Sequence, residues 1–161
     1  VLLVDAAGGT TKVLAAPAGL PGTRGCSRLA AADLDGDGHD DLVALWLGPQ
    51  GTSPGVVATL RRTAGAFLTF ELPTGLAPAD LAAGDLNGDG LAELVVAAQN
   101  SHVVQVWTNA GGTGFVRTPS VGVGLGPVDL CLVDLMGKGL DDLLVANAFS
   151  ADVSRVPNRP R

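Results

Sequence analysis

The strings DLDGDGHDDL (33–42), DLNGDGLAEL (85–94) and DLMGKGLDDL (134–143) are one pattern written three times, with first aspartates 52 and 49 residues apart. A period near 50 residues confines a chain to repeated supersecondary units, each burying its apolar face against the next. Each copy is preceded by a short apolar run (RLAAAD, DLAAGD, VDLCLVDL) and followed directly by another (DLVALWLG, ELVVAAQN, DLLVANAF). A third run follows a polar turn (VVATLRRT, HVVQVWTN), and a Gly-containing turn introduces a fourth run bearing phenylalanine (GAFLTFELP, TGFVRTPSV). Apolar runs of four to eight residues bounded by Gly, Pro and Asn read as strands. Ala and Leu are abundant, but the 23 glycines and 10 prolines interrupt the chain too often for helices of ordinary length.

Four strands in about 50 residues make one blade of a β-propeller. The expected fold is all-β, with blades of four antiparallel strands and about three blades present. Residues 1–26 read as the outer strands of a preceding incomplete blade, because VLLVDAAGGTTKVLAA parallels DLLVANAFSADVSRVP. Residues 27–78 and 79–127 are complete blades, 128–156 an incomplete one, and 157–161 a tail. Three blades leave sheet faces uncovered, whereas propellers usually close with four or more. Either the chain is part of a longer propeller, or two copies form a homodimer that completes a six-bladed ring. The opening VLLVDA reads as the inside of a strand, so an upstream piece carrying any export signal is expected.

Charge narrows the chemistry. Of sixteen acidic residues, eleven lie in the windows 33–41, 85–93 and 134–142, and the formal net charge is −6. Nucleic-acid binding needs clustered positive charge, which this chain lacks. No apolar stretch reaches the length that spans a bilayer, so no membrane insertion is expected. Concentrated carboxylates suit a hard cation. With ligands at positions 1, 3, 5, 7 and 9, the first loop offers Asp33, Asp35, Asp37 and Asp41 plus the carbonyl of His39. The second offers Asp85, Asn87, Asp89 and Glu93 plus the carbonyl of Leu91. All are oxygen donors, as Ca²⁺ prefers, and Gly36, Gly38, Gly88 and Gly90 permit the left-handed angles that aim alternate residues inward. An EF-hand shares the D-x-D-x-D-G start but needs a bidentate glutamate at position 12 and flanking helices. Position 12 here is Ala44, Val96 or Val145, inside an apolar run. The metal-free alternative is an Asp-Gly hairpin turn, against which stand two intact copies in repeat register.

The pattern D-x-[DN]-x-D-G-x-x-[DE]-L ahead of an apolar strand resembles the FG-GAP/VCBS repeat, the calcium-loop blade of integrin-alpha-type propellers and many bacterial secreted proteins. DLLVANAFSADVSRV and VWTNAGGTGF resemble that family's later strand and turns. The resemblance covers about residues 27–156. It implies that each loop joins the inner strands of a blade and holds Ca²⁺ through the positions named. It also implies a non-catalytic scaffold for adhesion or protein interaction, with a protein or glycan ligand. The alternatives are a lectin-like sugar binder and an accessory region of a larger secreted enzyme. Sugar stacking would need exposed aromatics, and Trp46 and Trp107 read as either core or edge.

The third loop departs from the pattern. Asp134 and Asp142 remain, but Met136 is a weak donor and Lys138 a positive charge. That loop is expected to be empty, either with the Lys138 ammonium between Asp134 and Asp142 in place of an ion or with Lys138 in solvent and the hairpin tolerating the loss. His39 and His102 form no catalytic constellation, and no enzyme active site is expected. Cys131, in VDLCLVDL, reads as a buried thiol and Cys26 as a loop residue, with a 26–131 disulfide as a minor alternative. Calcium loops of extracellular affinity stay empty at cytosolic calcium, so the expected compartment is secreted, cell-surface or periplasmic.

Overall fold

A computed structural model describes residues 2–4, 10–12, 25–49, 54–63 and 66–158. Their regular structure is β throughout, apart from one short 3₁₀ turn at Gln99–Ser101. Strands β1 (Leu2–Val4) and β2 (Thr10–Lys12) form an antiparallel pair. The first full sheet has the order β3 (Gly25–Ala32), β4 (Asp41–Leu47), β5 (Pro54–Thr63) and β6 (Ala66–Leu76). The second runs β7 (Pro78–Gly84), β8 (Glu93–Ala98), β9 (Val103–Asn109) and β10 (Phe115–Arg117), with β11 (Val121–Gly122) also on β9. The third holds β12 (Pro127–Val133), β13 (Asp142–Asn147) and β14 (Asp152–Val156).

Strand count and order match the four-strand unit, and all pairings are antiparallel. The fourth run of the second blade is split because Pro119 has no N–H for the ladder. Thr118 makes the junction, donating both its N–H and its hydroxyl to Val106 O. Blades begin one or two residues before the boundaries read from the sequence. Each first strand carries the same irregularity, with register shifts at Cys26/Arg28, Pro78/Asp80 and Pro127/Asp129. An extra residue at one place in every first strand is a β-bulge, a feature that bends a strand and increases its twist.

The first strands lie side by side, so the sheets fan out as successive blades of a partial propeller. Asp80 of β7 joins all three. Its Oδ1 accepts from Arg28 Nε of β3 (2.9 Å) and its Oδ2 from Leu130 N–H of β12 (2.8 Å). Gly84 marks another close approach, since a Cβ there would lie 2.8 Å from Leu132 Cδ1.

Burial explains which runs are wholly apolar. In β8 all six residues are buried. Leu94 and Val96 pack toward the first blade with Leu45, Val57 and Trp107, while Val95 packs toward the third with Val104, Leu143 and Val145. In β13 the alternate residues Leu144 and Ala146 are only half-buried. A strand between two sheets needs apolar residues on both faces, whereas β13 has a neighbouring sheet on one.

Two expectations fail here. Cys131 is exposed on β12, and Cys26 lies in β3, also exposed; both are free thiols. An apolar run reveals a strand, but not which of its faces meets a neighbour. The tryptophans resolve to core, with Trp46 and Trp107 both buried.

Leu94→Ala empties space at the seam of the first two blades and should cost about 2–5 kcal/mol. Val116→Ala, at an exposed site in β10, should change stability by no more than about 0.5 kcal/mol. Urea unfolding of both variants reads the difference, and equal losses would contradict this assignment of the core.

Candidate metal centre

The first loop joins β3 to β4 and is shaped by one side chain. Asp33 Oδ1 accepts the N–H groups of Asp35 (3.1 Å) and Gly36 (2.7 Å), and Oδ2 that of Gly38 (2.9 Å). Asp35 Oδ1 then accepts from Asp37 N–H (3.3 Å), and Asp37 Oδ1 from His39 N–H (2.9 Å). Each alternate aspartate thus folds over an amide two residues on, as aspartates do in turns. Gly36 and Gly38 have φ of 80° and 81°. A Cβ on Gly38 would meet nothing within 4 Å, so angle and not space selects glycine there.

This folding brings oxygens of Asp33, Asp35 and Asp37 within 4.8 Å of one another. Two such charges repel by about 1 kcal/mol in water at 4 Å, and by several times that where the effective dielectric is lower. Burial works against ionisation of Asp33, but the N–H groups of Gly38, Gly36, Asp35 and Asp37 outweigh it and hold the carboxyl below its usual range. Three oxygen donors converging with negative charge fit a hard cation.

The second loop repeats the frame. Asp85 Oδ1 accepts from Asn87 (3.2 Å) and Gly88 (2.7 Å), and Oδ2 from Gly90 (2.8 Å). Asn87 Oδ1 accepts from Asp89 N–H (2.8 Å), and Asp89 Oδ1 from Leu91 N–H (2.9 Å). Asn87 makes this loop one carboxylate poorer than the first.

Position 9 behaves differently from the others. Asp41 and Glu93 are buried at the first residue of β4 and β8. Each accepts the N–H of the residue at position 2: Leu34 to Asp41 Oδ2 (3.1 Å), Leu86 to Glu93 Oε2 (2.8 Å). Asp41 is thus not part of the converging triad. Glu93 Oε1 accepts from Asn87 Nδ2 (3.0 Å) and from Asn109 N–H (3.4 Å). Burial pushes Glu93 above its usual carboxylate value, the Leu86 and Asn109 amides oppose that, and the charges of Asp89 and Asp85 add to it. A cation in the second loop would reverse the charge effect. His39 sits at the exposed tip of its loop and Leu91 is half-buried.

The third loop keeps its turn and changes its charges. Asp134 accepts from the Lys138 (2.9 Å) and Gly139 (2.6 Å) N–H groups, and these hold its carboxyl below the usual range. The expected Lys138 bridge is not what holds Asp142. Lys138 is exposed and serves Asp134 through its backbone N–H. Asp142 Oδ2 instead accepts Nε (3.1 Å) and Nη2 (2.7 Å) of Arg155, and Oδ1 accepts Asn158 N–H (2.8 Å). The Arg155 guanidinium, then the Asn158 amide, hold the Asp142 carboxyl below its usual range. Arg155 faces the carboxylate from the paired strand, whereas Lys138 lies in the solvent-facing turn.

Sequence reading passed over Arg155, Asn109 and Asn158. Arg155 stands in β14 where the second blade has Val106, a new charge in the repeat whose loop lost two carboxylates. Asn109 and Asn158 each lie sixteen residues after position 9 and make equivalent bonds. Asn158 is thereby tied into the third sheet, although residues 157–161 read as a tail.

With this geometry in place, comparison with known families finds an FG-GAP-like repeat matching residues 85–145, which runs from the first aspartate of the second loop into β13. No curated protein matches the chain. The match covers less than half of the 161 residues, and the first loop, outside it, repeats the second bond for bond at position 1. Residues 85–145 are thus similar to an FG-GAP-like repeat, and they lie within a partial propeller of antiparallel sheets.

Proposed function

We propose that this chain is a calcium-stabilised propeller module that works outside the cytosol as a non-catalytic scaffold for adhesion or protein interaction. The convergence of Asp33, Asp35 and Asp37 within 4.8 Å carries this reading. Oxygen-only donors on alternate residues of a glycine-bearing loop match the coordination Ca²⁺ takes, and a divalent charge turns their repulsion into attraction. The second loop has the same amide frame, with Asn87 as a neutral donor. Met136 and Lys138 leave the third loop without that donor set, and Arg155 already supplies Asp142 with a cation.

The histidines favour a scaffold over an enzyme. His39 lies at a loop tip, and His102 Nδ1 accepts Gly126 N–H (3.1 Å), a bond from the second blade to the third. Burial of both tryptophans removes them as surface platforms for stacking on sugars, and Phe149 is the large aromatic left exposed among the described residues. No helix among the described residues is long and apolar enough to cross a membrane. Millimolar extracellular calcium fills loops with dissociation constants near 10⁻⁴ M, whereas cytosolic calcium does not.

Calorimetric titration with Ca²⁺ should end at two ions per chain. At about 1 mM Ca²⁺ and a dissociation constant near 10⁻⁴ M, each filled loop adds about 1.4 kcal/mol. Two filled loops should raise the melting temperature by roughly 5–10 °C over the EDTA-treated protein. Superimposable melts with and without chelator would sink the calcium reading, and three ions would contradict the account of the third loop.

The Arg155–Asp142 pair has a pH signature independent of metal. Because folding lowers the Asp142 pKa, the pair stabilises the protein above the ordinary carboxylate range, near pH 4. That contribution disappears as pH falls through the folded-state value. Arg155→Ala should therefore unfold more easily than the parent at pH 7 in EDTA, and the gap should narrow steadily toward about pH 2. A gap that stays constant across this range would rule the pair out as its source.

A further inference from the structure

We propose that Asn109 couples the two calcium loops, so that an ion in one raises the affinity of the other. The inference rests on the calcium reading above and extends it from two separate sites to one linked pair.

Asn109 ends β9 and is only 5 % exposed. Its Nδ2 donates to Leu34 O (2.9 Å), in the first loop, and to Ala92 O (3.2 Å), in the second. Its own N–H donates to Glu93 Oε1 (3.4 Å), the position-9 carboxylate of the second loop. Its Oδ1 accepts Gly112 N–H (2.8 Å), which fixes the amide plane. The Leu34 peptide is thereby held at both ends, its carbonyl by Asn109 and its N–H by Asp41. A single side chain thus touches position 2 of one loop and position 8 of the other, while the backbone N–H of the same residue holds position 9.

Further contacts stiffen the same junction. Ala92 N–H donates to Asp33 O (3.2 Å), placing position 8 of the second loop on position 1 of the first. Leu91 lies over Gly36, where a Cβ would stand 3.3 Å from Leu91 Cδ2. The backbone of Gly112 lies against Asp35, whose Cα would be 3.2 Å from a Cβ at that glycine. Ordering residues 91–93 around one ion therefore orders the seat of the other loop. When two ligands share the ordering of one segment, the first meets the entropic cost and the second binds more tightly, with no new contact needed. By linkage the effect is reciprocal.

The other side of the second loop shows the same junction fixed without metal. Asn158 Nδ2 donates to Leu86 O, and Asn158 N–H donates to Asp142, which Arg155 holds. Coupling to an ion is thus confined to the junction between the first and second loops.

The test is calorimetric Ca²⁺ titration of the whole chain, the two single-loop variants Asp37→Ala and Asp89→Ala, and each of these three combined with Asn109→Ala. Both aspartates are exposed, so the fold should survive their loss. In the parent, each loop should bind at least about fivefold more tightly when the other is filled, and the two single-loop variants should report the same factor. In the Asn109→Ala background two ions should still bind, with that factor reduced to one. A purely structural role for Asn109 would lower the melting temperature and leave the factor unchanged. If Asn109→Ala does not fold, Asn109→Asp keeps the acceptor for Gly112 and loses both donations. A parent that binds two ions with a factor below about two, or with a factor that survives at both Asn109 variants, overturns the coupling alone. A parent that binds no calcium overturns the calcium reading and the coupling together.

Discussion

The carboxylate at the first position of each loop gathers backbone amides that would otherwise lack partners, and the shape of the hairpin follows from that. Asp33 and Asp85 each take three N–H groups, and Asp134 takes two. A turn this tight aims several N–H groups into its own centre, and an anion there satisfies them. Once the first aspartate is seated, residues 3 and 5 are carried inward. In the first loop both are aspartates, so the bonding that shapes the turn also concentrates negative charge in it. Loop shape and metal demand have one cause.

The same economy governs the seams between blades. The middle blade has a neighbour on each side, and its residues do double service: β8 is buried on both faces, Asp80 meets Arg28 and Leu130, and Asn109 reaches the preceding loop. Arg28 and Asp80 occupy the same place in successive repeats with opposite charge, which makes the seam specific as well as apolar. Half of the Arg28 side chain is exposed, so solvent screens this pair and its role is register more than stability.

Features set by local spacing were legible in the sequence, and features set by neighbours were not. The alternation of Asp with Gly dictates the turn within ten residues, so the convergence of Asp33, Asp35 and Asp37 could be anticipated. The 50-residue period also follows from the sequence, and the first strands of the three sheets start at Gly25, Pro78 and Pro127. Cys131 was misjudged because burial on β12 depends on a sheet across a seam. Of the two readings of Lys138, the bridge to Asp142 rested on nearness in sequence, whereas Arg155 reaches Asp142 from the adjacent strand thirteen residues on. Sequence spacing did not show that each position-9 acid also accepts the N–H at position 2 of its own loop.

Arg155 also explains why a loop can lose two carboxylates without losing its place in the fold. Deleting the metal ligands alone would have left Asp142 buried without a counter-charge, a costly arrangement. Arg155 supplies the positive charge from inside the sheet, and it does so at any calcium concentration. The consequence is asymmetric. Without a cation the first two loops face their own charge, while the third keeps its partner and its bond through Asn158 to Leu86. The second loop is therefore anchored on one side without any metal, and the first loop, whose carboxylates converge at Asp33, Asp35 and Asp37, carries the largest uncompensated charge.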